Sequence, residues 1–197
     1  MKKPAFRRPP ETPGSWHRVK TAPFLILVVL ALDQLTKLCV RECLSLGESI
    51  PDGSRLRLTY VVNPGMFFGA GGSSSLTLLL PLAMILGALV IYWGFRRSRS
   101  ILLKVGTGLF IGGTLGNLID RILWGHVTDF IEVFSSDGDA SMVFNLADLC
   151  IVAGILVLEA FLIRFIIRAI REKGMHYNPV KPAMARIIRR MHPRERR

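Results

Sequence analysis

A chain of 197 residues has room for one domain of ordinary size, and half of its residues are apolar. The apolar residues are bunched into long runs, which excludes a water-soluble core as their destination and points to a membrane. The net charge of +12 invites nucleic-acid binding, but Lys and Arg fall mainly in three blocks, Lys2 to Lys20, Arg96 to Lys104 and Arg164 to Arg197. Acids lie mostly between those blocks, the positive-inside pattern of short cytoplasmic loops, so no nucleic-acid partner is needed to explain the charge.

Residues 1–20 are Pro-rich and basic, with no apolar periodicity, and read as a disordered cytoplasmic tail. Ala22 to Leu32 could pass for a signal-peptide core, but no small-x-small cleavage site follows. The run continues through D-Q-L-T-K into Leu38, Cys39 and Val40, about the 20 residues a spanning helix needs. A retained first span over 22–41 is expected. Cys39 and Cys43 stand at i,i+4 on it with no His or second Cys pair nearby, so packing is expected of them rather than metal ligation. With Cys150 they make no disulfide framework. Arg55 to Tyr60 alternates with period two between the turn signals P-D-G and N-P-G, the mark of a half-buried strand in a small extramembrane sheet.

The second span is expected over 75–95, with Pro81 near its start and R-R-S-R after it. The third, over 101–120, is glycine-rich (G-T-G-L-F-I-G-G-T-L-G), which permits close helix–helix approach in lipid. Residues 121–144 read as a second extramembrane loop that turns at S-S-D-G-D-A-S. The fourth span covers 145–167. The fold class is therefore an all-α membrane protein: a four-transmembrane-helix bundle with a small β-sheet on the outer face. Residues 21–170 form the membrane domain and 171–197 a second basic cytoplasmic tail. In that tail Met184, Ile187, Ile188 and Met191 make one apolar stripe, which suits a short helix on the inner membrane surface.

With both basic termini inside, the four spans alternate in direction. Asp33, Asn63, Asn117, Asp120, Arg121, Asp129, Asn145 and Asp148 then all fall near the outer face. Carboxylates at the edge of a hydrocarbon layer are expensive and mark function more often than decoration. Asp129 and Asp148 are separated by enough chain to meet if helices three and four pack. At close range the two would share one proton and titrate as a unit, one deprotonating water while the other polarises a carbonyl or protonates a leaving amine. The plainer alternative is a helix cap or a carboxylate in headgroup water, and Asp148 could be such a cap.

Asp33 and Lys37, at i,i+4 with the acid first, read as an ion pair that fixes helix packing. Asp120 and Arg121 could pair, or Arg121 could hold a substrate carbonyl or a lipid headgroup. Asn63 and Asn145 can each donate and accept, which suits gripping an extended peptide. Glu159 lies about 16 Å along the helix from Asp148, too far to join it, and has no functional reading.

Five motifs in order, D-Q-L-T-K (33–37), N-P-G-x-x-F (63–68), G-G-T-L-G-N-L-I-D-R (112–121), G-H-V-T-D-F (125–130) and F-N-L-A-D-L-C-I (144–151), resemble those of the type II (lipoprotein) signal peptidases. The resemblance covers residues 22–168. It implies a bacterial inner-membrane aspartyl peptidase that removes the signal peptide from diacylglyceryl-modified prolipoproteins, cutting before the lipidated cysteine. Asp129 and Asp148 fall on that family's catalytic pair. Asp33, Lys37, Asn63, Gly65, Gly113, Asn117, Asp120, Arg121, Asn145 and Ala147 fall on its other characteristic positions, in substrate binding or site support. One departure is Met66 and Phe67, where the family has two small residues in the loop expected to cradle substrate.

Three rival readings stand beside this one. A proton-coupled transporter would use Asp33, Asp120 and Asp148 as a relay, but would spread polar residues through the membrane and repeat between halves. A presenilin-type protease would carry G-x-G-D, which is absent. An inactive relative would bind lipoproteins without cutting them. The sequence offers no metal site and no nucleotide motif, so no cofactor is expected; membrane lipids are the other partner, and the chain is expected to be a monomer.

Overall fold

The structure, a computed structural model, describes residues 21–51, 55–65, 74–95, 98, 100–134 and 141–176. It divides into two compact units, Met1–Leu158 and Glu159–Arg197, the second described over 159–176 only. In chain order the elements are α1 (Thr21–Cys43), β1 (Ser49–Ile50), β2 (Leu56–Asn63), α2 (Ser74–Gly94), α3 (Ile101–Trp124), β3 (Val127–Phe134), β4 (Ser141–Phe144) and α4 (Leu146–His176). Four helices among the described residues are long and apolar enough to cross a membrane, as the hydropathy runs predict. The strands form one antiparallel sheet in the order β1-β2-β3-β4.

Helix α1 shows why the chain belongs in lipid. Its buried positions are Ala22, Val29, Asp33, Lys37 and Val40, one stripe at helical spacing. Phe24, Leu27, Leu32, Leu35 and Leu38 point outward. Polar residues inside and leucines outside reverse the soluble pattern. Helix α3 is the buried member of the first unit, and its glycines are the reason. A Cβ on Gly108 would meet Leu25 of α1 at 3.0 Å, and one on Gly112 would meet Val29 at 2.9 Å. On the other side a Cβ on Gly113 would run into the carbonyl oxygen of Ala147 in α4. The close approach expected of this helix is thus present on two faces.

Four expectations need correction. Helix α3 runs to Trp124 rather than ending at 120, because Ile122, Leu123 and Trp124 sustain the helix until Gly125 (φ 76°) closes it with an N–H to Arg121 O. Residues 121–144 are not a loop: β3 and β4 pair there, so half of the sheet comes from this segment. Strand β3 was hidden because its first four residues are buried on both faces, leaving no period-two pattern to read. Helix α4 continues to His176, past the expected end at 167. Cys39 and Cys43 are exposed, so neither is a packing residue. The turn at 135–140, both basic tails and the Met184 to Met191 stripe lie outside the described residues.

Candidate active site

Asp129 sits on β3, opposite Val61 of β2, and Asp148 sits in the first turn of α4. Both line one cavity of about 480 Å³. Its polar end is completed by Asn63, Asn117 and Arg121, and its walls are apolar, with Val127, Met142, Phe144, Leu149, Val152 and Leu156 among them.

Asparagine amides hold the two carboxylates. Asn145 Nδ2 donates to Asp129 Oδ1 at 2.7 Å, and Asn63 Nδ2 donates to Asp129 Oδ2 at 2.9 Å. Asn117 Nδ2 donates to Asp148 Oδ1 at 2.7 Å, and the Asn145 backbone N–H donates to Asp148 Oδ2 at 3.2 Å. The Asp148 N–H returns a bond to Asn145 Oδ1 at 2.9 Å, a reciprocal cap at the start of α4. Each carboxylate oxygen thus accepts one N–H and retains a second lone pair.

These bonds change the reading of the asparagines. Asn145 is fully buried, so it cannot grip a peptide; its amide is spent on Asp129 and on Asn117 Oδ1. Asn63 lines the cavity, but its Oδ1 accepts the Gly65 N–H at 3.0 Å, an Asx turn that shapes N-P-G.

Beneath them Lys37, Asp33 and Asp120 form an ionic group fully out of solvent. Lys37 Nζ is 2.9 Å from Asp33 Oδ2, 3.3 Å from Asp120 Oδ2 and 2.8 Å from Asn117 Oδ1. Asp33 Oδ1 accepts the backbone N–H of Ala147 at 2.9 Å, and Asp120 Oδ2 accepts that of Thr128 at 3.0 Å. Ala147 precedes Asp148 and Thr128 precedes Asp129. Each cavity aspartate therefore follows a peptide held by a buried carboxylate, and both carboxylates share one ammonium. The expected Asp33–Lys37 pair is present, and it reaches further than helix packing. Asp120 turns toward Lys37. Arg121 faces the cavity and donates to Gly65 O and to Asn117 O, each at 3.2 Å.

Two contributors were not singled out from the sequence. Gln34 Nε2 donates to Asp33, to Asp120 and to Gly116 O. Arg41 Nη1 donates to Thr128 Oγ1 at 3.0 Å and lies 3.8 Å from Asp120 Oδ1. The signal was available: Asp33, Lys37 and Arg41 recur every four residues along one helical face. Glu159 is exposed and falls in the second unit. Met66 and Phe67 lie outside the described residues.

Burial pushes the Asp129 carboxyl up to about 6, and the Asp148 charge adds to the rise. The hydrogen bonds from Asn63 and Asn145 and the charge of Lys37 pull the other way. A carboxyl near neutrality beside a second carboxylate can hold or release a proton at physiological pH.

The sequence profile of signal peptidase (SPase) II matches residues 25–164. A lipoprotein signal peptidase of Moorella thermoacetica is 40% identical over 69% of this chain and 89% of its own length. One from Pelotomaculum thermopropionicum is 42% identical over 68% of this chain and 86% of its own. Among solved structures, a bacterial membrane enzyme determined by the in meso method at 2.3 Å resolution superposes with a TM-score of 0.64 at 25% identity, over 73% of this chain and 88% of that one.

Proposed function

The chain belongs to the signal peptidase II family, and from that premise we propose that it is an aspartic endopeptidase of the bacterial inner membrane. Its substrates are diacylglyceryl-modified prolipoproteins, and it cuts immediately before the lipidated cysteine. Asp129 and Asp148 are the catalytic pair. The observation that carries this reading is the Asn145 side chain and backbone joining both carboxylates at the polar end of an apolar cavity.

The geometry suits the chemistry. With one proton between them, the ionised carboxylate takes a proton from a water, and that water attacks the scissile carbonyl. The protonated partner polarises the carbonyl oxygen and then gives its proton to the leaving amine. The amides of Asn63, Asn117 and Asn145 hold both groups so that neither must reorient during the reaction. Arg121 stands at the same end of the cavity, placed to bind substrate carbonyl oxygen. Apolar walls suit the lipid and the apolar signal segment. Both termini are cytoplasmic in this reading, the sheet and the site lie at the periplasmic face, and the enzyme works as a monomer.

The test is cleavage of a synthetic diacylglyceryl prolipoprotein peptide by the full-length protein in lipid, with products identified by mass. Wild type should release the signal peptide before the modified cysteine. Asp129→Asn and Asp148→Asn should each abolish turnover while leaving the protein folded, and the double variant should be no worse than either, because the pair acts as a unit. Substantial turnover in either single variant would remove the assignment.

A further inference from the structure

Thr128 is fully buried on β3, one residue before Asp129, so their side chains leave the strand on opposite faces. Each polar group of Thr128 is bonded to a different part of the fold. Its N–H donates to Asp120 Oδ2 of α3 at 3.0 Å, and its carbonyl accepts Asn145 Nδ2 at 3.3 Å. Its hydroxyl oxygen accepts Arg41 Nη1 of α1 at 3.0 Å. The first two bonds lead back to the site, because Asp120 belongs to the buried ionic group and Asn145 Nδ2 also reaches Asp129. The third leads to Arg41, which does not line the cavity and has no part in the reaction.

Arg41 spans a corner of the chain. Only Gly125 and His126 join α3 to β3. The Arg41 guanidinium stands 5.4 Å over the ring of Trp124, the last residue of α3, and bonds Thr128, the second residue of β3. One side chain of α1 therefore holds the chain on both sides of the corner. A flat guanidinium can stack on a ring and donate from its edge together, which a compact ammonium cannot. Arg41 also lies 3.8 Å from Asp120 Oδ1. With it, two cations face the two carboxylates Asp33 and Asp120, and the group beneath the site closes at neutrality.

We propose that Arg41 is a positioning residue for Asp129, acting through the Thr128 hydroxyl. By fastening the α3–β3 corner to α1 it fixes the start of β3, and with it the direction in which Asp129 enters the cavity. Thr128 is the second member of the device. If it moves, its carbonyl leaves Asn145, and the Asn145 amide is no longer steered onto Asp129. The inference deepens the peptidase reading and rests on it for the kinetics, but the protonation of Asp129 tests it with no cleavage measured.

The experiment is a cycle of Arg41→Gln and Thr128→Val in full-length protein, with Thr128→Ser as the conservative variant. Each single change should lower kcat on the lipidated peptide by about tenfold or more, with KM within about twofold, because the reacting group is misaimed. The double variant should be no worse than either, and Thr128→Ser, which keeps the hydroxyl, should stay within about twofold of wild type. Falls in kcat that multiply in the double variant would overturn the proposal, since Arg41 would then act by another route. The second readout is the pH at which stability relative to Asp129→Asn changes, followed by thermal unfolding in micelles. The Asn145 bond holds the Asp129 carboxyl down, so loosening it in Thr128→Val should move that step to higher pH. Asp148, Lys37 and Arg121, the charges that face Asp129 or share its cavity, are unchanged in these variants. An unmoved step in folded Thr128→Val would overturn the proposal whatever the kinetics show. If wild type cuts no lipidated peptide, the peptidase reading falls and the step still decides this one. Thr128→Val carries the test alone if Arg41→Gln does not fold.

Discussion

Asn145 Nδ2 lies 2.7 Å from Asp129 Oδ1, while the same residue exchanges two further bonds with Asp148, at 3.2 and 2.9 Å. The buried Asn145 side chain therefore ties the Asp129 carboxylate, on a strand, to the Asp148 backbone at the start of a helix, while the Asn145 backbone N–H holds the Asp148 carboxylate. Tertiary structure alone brings those elements together, so the separation of the pair depends on this residue more than on either backbone.

Asn145→Ala should consequently lower kcat by about 100-fold with little change in KM, since preorganised donors act mainly on the transition state. Asn145→Gln should not restore activity, because the added methylene has no room in a buried site. Steady-state kinetics on the lipidated peptide decide the matter. Loss confined to KM would show that Asn145 serves ground-state binding instead.

Asp129 gives stability a pH dependence whose sign follows from burial. Its carboxyl rises from 3.8 to about 6, so in that interval the folded state holds a proton that the unfolded state has lost. The contribution is fully present below pH 3.8 and is lost as pH rises through about 6. A shift of this size corresponds to about 3 kcal/mol. Asp129→Asn has no such proton, so its stability relative to wild type should climb between pH 4 and 6 by up to about that amount and level off above. Thermal unfolding in matched micelles across that range is the measurement. A flat difference would mean that the carboxylate is solvated in the folded protein.

The four spans were legible because hydropathy over about 20 residues is a coarse, local signal. Strand β2 was legible from the alternation of Leu56, Arg57, Leu58 and Thr59. Strand β3 was not, since Val127, Thr128, Asp129 and Phe130 are all buried and carry no alternation. The site shows the same division. Asp129, Asp148 and their polar neighbours announce themselves by standing in apolar surroundings. What each amide does was hidden, because Asn63 and Asn145 could equally bind peptide or carboxylate until the pairing of β2 with β3 brought Asn63, and that of β3 with β4 brought Asn145, beside Asp129.

Gly116 is the tightest point beneath the site, since a Cβ there would collide with Asp33 Oδ2 and lie 3.4 Å from the Ala147 side chain. Gly116→Ala should push the Asp33 carboxylate off Lys37 and off the Ala147 N–H together. The expected cost is about 1–3 kcal/mol in stability, with a loss of activity at temperatures where the protein is still folded. Gly87, which has open space around it, is the control: Gly87→Ala should leave both quantities nearly unchanged. Equal effects at the two positions would rule out a specific clash.

Lys37 is the common partner of Asp33, Asp120 and Asn117, and removing its charge tests the ionic network beneath Asp129 and Asp148. Lys37→Met keeps most of the volume but leaves two buried carboxylates facing each other, with Arg41 at 3.8 Å from Asp120 as the remaining nearby cation. Breaking a buried ion pair on one side costs about 3–5 kcal/mol. Asn117 also loses the donor that orients its amide toward Asp148, so kcat should fall by about 100-fold or more. Adding Asp120→Asn to Lys37→Met separates the two effects. The asparagine Oδ1 can still accept the Thr128 N–H, and one uncompensated charge is gone, so the double variant should be more stable than Lys37→Met alone. Its kcat should stay low, because nothing replaces the bond to Asn117. A double-mutant cycle on unfolding free energy and on kcat reads both. Additive losses of stability would mean that Lys37 fills space rather than neutralising the pair. Recovery of kcat in the double variant would mean that the lysine acts on the site through charge alone and does not orient Asn117.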